Sequence, residues 1–79
     1  MIKEGSIVKA KAGRDKDLFF VVVKLEGGYA YIANGKRRKV EAPKKKKLIH
    51  LQATNSVAAV YETNRQIKTI INEFGGYNV

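Results

Sequence analysis

The chain has 79 residues, with 16 Lys and Arg against 7 Asp and Glu, a formal net charge of +9, one histidine and no cysteine. A chain of this size makes one domain with a small core, burying roughly 60% of the surface its unfolded form exposes, and leaves little room for the deep cleft of an enzyme. The absence of cysteine removes disulfides, thiolate nucleophiles and the usual structural zinc sites.

One histidine, His50, with scattered carboxylates does not make a metal cluster. Ser6 and Ser56 lie in no nucleophile elbow, and no glycine-rich loop of phosphate-binding spacing is present. No metal, cofactor or catalytic residue is therefore expected. No apolar run approaches the roughly 20 residues that cross a membrane, and MIKEGS lacks the hydrophobic segment of a signal peptide. The expectation is a cytoplasmic protein, monomeric when free and without membrane contact.

In chain order, Val8, Ala10 and Ala12 share one parity and Lys9 and Lys11 the other, which predicts a half-buried first strand ending at Gly13. Residues 13–17, GRDKD, read as a polar turn. LFFVVVKL, residues 18–25, is a dense run of β-branched and aromatic residues and predicts the central strand. Glu26, Gly27 and Gly28 turn the chain into a third strand over Tyr29–Ala33. Asn34-Gly35 signals a second turn into KRRKV, the expected fourth strand, which Pro43 closes because it has no amide hydrogen to give a ladder. LIHLQ, residues 48–52, is the expected short fifth strand.

The period then changes from two to 3.6. Ile67, Ile70, Ile71 and Phe74 form one apolar stripe and predict a helix over about 64–74, with Thr63 and Gln66 as a capping box and Gly75 as its stop. So short a helix is marginal alone, so the stripe is expected to pack on the strands, with Phe19, Val21 and Val23 giving one face to the core. The expected fold is mainly β: residues 1–79 as a single small SH3-like barrel closed by this C-terminal helix.

Charge is concentrated in residues 36–50, KRRKVEAPKKKKLIH, which hold eight of the sixteen Lys and Arg residues against one acid, Glu41. That window carries +7 of the formal +9. A lysine run is often only a solvated face. Here Lys36, Arg37, Arg38 and Lys39 adjoin Lys44, Lys45, Lys46 and Lys47, and mixed Arg and Lys composition suits phosphate, Arg by a two-bond fork and Lys as a flexible point charge. In AGRDKD, Arg14 and Lys16 are placed to reach phosphates, while Gly13 and Asp15 shape the loop. Tyr29 and Tyr31 share a strand face, which suits base stacking and equally core or rim packing. His50, among Leu48, Ile49 and Leu51, reads as a packed or edge-strand residue. A nucleic-acid surface is the preferred reading, and the alternative is a protein-binding or generic polyanion-binding adaptor module.

The opening GSIVKAKAGRDKDLFFVV resembles a KOW motif, the strand–loop–strand unit of ribosomal and transcription-elongation proteins with SH3-like barrels. With NGKRRKV and PKKKKLIHLQATN, residues 4–55 are similar to the ribosomal protein L14e group and the short bacterial KOW-domain proteins related to it. The resemblance implies RNA binding, with ribosomal RNA of the large subunit and neighbouring ribosomal proteins as partners. Residue by residue it implies that Gly13, Arg14, Asp15 and Lys16 form the RNA-binding loop. It likewise implies that Arg37, Arg38 and Lys39 form a basic strand, and that Lys44 to Lys47 with His50 form the segment before the last strand. The chain departs from the motif at Asp17, near which many KOW sequences have glycine.

Overall fold

Ser6–Ala10 forms the first strand, β1, in the computed structural model, which describes residues 1–75. The apolar run follows as β2, Phe19–Glu26, and turns through Gly27, at φ 58°, into β3, Tyr29–Ala33. The fourth strand, β4, is Lys44–Lys47, and β5 is Leu51–Val57. A single 3-10 turn, Leu48–His50, joins these two. The strands make one sheet in the order β4-β3-β2-β1-β5, every neighbour antiparallel.

The sheet is not closed into a barrel. Among the described residues β5 pairs only with β1 and β4 only with β3, so the SH3-like barrel expected from the sequence is replaced by an open sheet with two edges. A four-residue strand made of lysines is poorly suited to accept another neighbour, because exposed charge on an edge opposes further pairing. The sheet is nevertheless strongly bent. Flat, it would hold its edge strands roughly 19 Å apart, whereas the linking 3-10 turn advances only about 6 Å. Register shifts between Ser6 and Val8 and between Val22 and Lys24 increase the local twist that the bend requires.

Both faces of the bent sheet carry apolar side chains. On the inner face, Val8, Phe20, Val22 and Ile32 are fully buried and meet one another with Leu51, packed at the margin by Leu18 and Leu48. On the other face, Ile7, Val21 and Ala33 are covered by the helix α1, Asn64–Phe74, through Ile67 and Ile71. Ile70 and Phe74 pack at the rim of this second cluster beside Phe19 and Val23, and the Phe19 and Phe74 rings meet edge to face at 5.3 Å. The apolar stripe and its strand partners thus lie together as the periodicity predicts. So does the cap: Thr63 Oγ1 accepts the Gln66 amide at 3.1 Å, Gln66 Oε1 accepts the Thr63 amide at 3.1 Å, and Gly75 ends the helix at φ 99°.

The first strand ends at Ala10 and not at Gly13, and three further readings differ from the expected ones. KRRKV is not a strand, because Asn34 Oδ1 accepts the amides of Lys36 (3.0 Å) and Arg38 (2.9 Å) and curls the segment back on itself. The Asn34 and Gly35 amides in turn donate to the Arg38 carbonyl. Pro43 therefore precedes the fourth strand instead of closing it. LIHLQ is divided between the 3-10 turn and a longer final strand. No helix among the described residues is long and apolar enough to cross a membrane.

Candidate nucleic-acid interface

The β1–β2 loop is a tight, self-bonded turn. The Asp17 amide donates to the Ala10 carbonyl at 2.8 Å and the Leu18 amide to Asp15 at 3.0 Å. Asp17 itself lies at φ 72°, the left-handed region that glycine enters at low cost and that Asp, though it tolerates it better than most side chains, enters at some cost. Its exposed 3.8 Å ion pair with Lys9 adds little. Replacing Asp17 by glycine is therefore expected to raise stability by about 0.5 to 1 kcal/mol. A urea midpoint that stays put or falls would show that the side chain contributes more than its backbone conformation costs.

Asp15 is the anchor of this loop. Its carboxylate is 1% exposed, and Oδ2 accepts from Arg38 Nε at 3.0 Å with Arg38 Nη2 2.9 Å away. Arg37 Nε lies 3.8 Å from Oδ1, and that guanidinium remains about half exposed. The acid thus ties loop 11–18 to the basic loop 34–43. That second loop is held from the far side by the helix: Asn64 Oδ1 accepts the Val40 amide at 2.7 Å, and Asn64 Nδ2 donates to Glu41 Oε1 at 2.7 Å. This hydrogen bond, with one from the Glu41 backbone, holds the Glu41 carboxyl below the usual carboxylate range. Gly35, at φ 81°, lies so close to α1 that a Cβ there would run into the Asn64 carbonyl oxygen.

Strand alternation divides the four lysines of β4. Lys46 lies opposite Ala30 and Lys44 opposite Ile32, on the inner-face side. The Lys46 stem is half-buried, and its Nζ donates to the Ala12 carbonyl at 2.8 Å, next to Gly13. Lys45 and Lys47 lie opposite Tyr31 and Tyr29 on the helix-side face. Lys45 Nζ stands 4.7 Å from the Tyr29 ring centroid and 5.9 Å from that of Tyr31, and Lys24 Nζ stands 5.6 Å from Tyr31. Tyr31 donates its hydroxyl hydrogen to Glu26 Oε1 at 2.8 Å, which with the neighbouring Lys24 keeps that carboxyl below its usual range.

The residues expected to bind RNA therefore fall into distinct settings. Arg14 and Lys16 are exposed at the tip of the first loop; the Lys16 amide donates to the Gly13 carbonyl at 3.2 Å, while neither side chain forms a hydrogen bond or ion pair with other described residues. Lys36, Arg37 and Lys39 are exposed on the second loop, while Arg38 turns towards Asp15. Lys46 reaches the first loop from β4. Three basic segments, 14–16, 36–39 and 44–46, are thereby joined around one loop. Lys45 and Lys47 point to the tyrosines, and His50 is half-buried in the 3-10 turn, its carbonyl accepting the Lys11 amide at 2.8 Å.

Sequence reasoning gave Asp15 a structural part without finding its partner, since Arg38 is 23 positions away. It missed the bracing by Asn34 and Asn64 and the place of Lys24 beside Tyr31. Only the Tyr29/Tyr31 parity pointed towards that cluster. Compared with models of known protein families and with curated proteins, the chain finds no match.

Proposed function

We propose that the protein binds RNA through its basic surface, with ribosomal RNA as the ligand that the KOW-like residues suggest and a cytoplasmic, ribosome-associated place of action. The observation that carries this reading is the joining of basic segments from three parts of the chain around the Asp15-anchored loop. Lys46 and Arg38 brace that surface by bonding to Ala12 and Asp15. Arg14, Lys16, Lys36, Arg37 and Lys39 stay exposed for phosphate oxygens. Braced loops hold a guanidinium in place for a two-bond phosphate contact, and the lysines add long-range attraction.

Arg14 and Lys16 are the most direct probes, because replacing them removes charge without removing a tie between described residues. Substitution of both by glutamine is expected to leave the circular dichroism spectrum unchanged and to weaken RNA binding. The slope of log K against log salt should fall by about one unit for each phosphate that the variant no longer neutralises. An unchanged slope would remove this loop from the interface. Equal competition by structured RNA and by a polyanion of matched charge would replace RNA recognition with generic polyanion binding, and co-sedimentation with large ribosomal subunits at moderate salt tests the ribosomal part.

A further inference from the structure

We infer that the part of the helix-side face left open by α1 is a stacking platform for unpaired bases, with Tyr29 and Tyr31 as the rings and Lys24, Lys45 and Lys47 as the phosphate partners. This rests on the RNA-binding reading and adds the class of RNA: single-stranded segments, loops or bulges. The helix covers this face around Val21 and Ala33 and leaves the stretch beyond the Val22/Lys24 register shift open. Neither tyrosine belongs to either apolar cluster, and Tyr29 is 36% exposed. Rings that anchored the core would be covered; these are bordered by ammonium groups.

The chemistry matches an extended single strand. Tyr29 and Tyr31 project from the same face two residues apart, roughly 7 Å along the strand. Inside a duplex each base face is already covered by its neighbour, so exposed rings have a partner only where bases are unstacked. Glu26 fixes the Tyr31 ring through its hydroxyl. Lys45 sits over both rings. An arriving base replaces this exposed cation–ring contact with the stronger base–ring stacking, and the released ammonium turns to the phosphate beside that base. Lys24, opposite Tyr31 on β2, and Lys47, opposite Tyr29 on β4, extend positive charge to both sides of the rings. Every base has a π face, so the platform is tolerant of sequence.

The test compares the full chain's affinity for a mixed-sequence single-stranded oligoribonucleotide with that for an RNA duplex of equal phosphate number, by fluorescence anisotropy. Tyr29→Ala and Tyr31→Ala are each expected to weaken single-strand binding by about tenfold or more, to leave duplex binding unchanged, and to keep the wild-type dichroism spectrum. Tyr29→Phe, which keeps the ring, is expected to bind as the wild type does. Single-strand binding that survives both alanine substitutions, or that falls together with duplex binding, overturns the platform while the RNA-binding reading stands. Wild-type protein that prefers neither RNA over a polyanion of matched charge overturns both.

Discussion

Replacing Ile67 by alanine is expected to cost about 3 to 4 kcal/mol in urea unfolding, the upper part of the range for removing a large aliphatic side chain from a packed site. Ile67 is fully buried and brings α1 against Val21 and Ala33 on this face of the sheet. A domain of 79 residues has roughly 4 to 12 kcal/mol of stability in all, so the variant is expected to lose between about a quarter and nearly all of it. Ile70, one turn on and only half-buried at the rim, is the internal control, with an expected loss of about 1 to 2 kcal/mol. Equal losses at the two positions would mean that the helix is rotated about its axis from the orientation described.

The second large effect is electrostatic. Arg38→Ala removes the donor that satisfies Asp15 Oδ2 and leaves a carboxylate that is 1% exposed without its closest partner. Breaking a buried pair from one side typically costs about 3 to 5 kcal/mol, mostly as the penalty of the charge left behind. The lower end, about 3 kcal/mol, is expected because the Arg38 side chain is itself 27% exposed and Arg37 remains within 3.8 Å of Oδ1. The double variant Asp15→Ala/Arg38→Ala is then expected to be more stable than Arg38→Ala alone, since no buried charge is stranded. Losses that simply add would show that Asp15 and Arg38 act independently, and the two loops would need another tie.

The elements that were legible in the sequence are those whose signal is local. The helix declared itself through a 3.6-residue stripe and a capping box within a few positions, and β2 and β3 through apolar density and glycine turns. KRRKV misled because its conformation is set by the Asn34 side chain and by Asp15 and Asn64, partners 23 or 24 positions away from Arg38 and Val40. KKKK misled in the opposite direction. Lysine has low strand propensity, yet pairing with β3, the tyrosine rings and the Ala12 carbonyl give these side chains places in an edge strand. Barrel closure was an extrapolation from strand number, and strand number does not say whether the two edges pair. Within the candidate interface, the count of positive charges was readable at once. Which cations face outward and which brace a loop depended on the fold.

A strand written with four identical letters has a peculiar relation to its neighbour. Pairing register is ordinarily specified by the side-chain pattern, because a slip of one residue exchanges the two faces. In β4 a slip exchanges lysine for lysine over most of its length, so the pattern carries almost no information about alignment with β3. Alignment must come from what brackets the run. On one side Pro43 has no amide hydrogen to continue the ladder; on the other the Leu48 amide bonds the Gly28 carbonyl at 3.0 Å and its side chain packs on the inner core. The four lysines are thus free to serve as surface chemistry, since the punctuation at either end, and not the letters between, tells the strand where to lie.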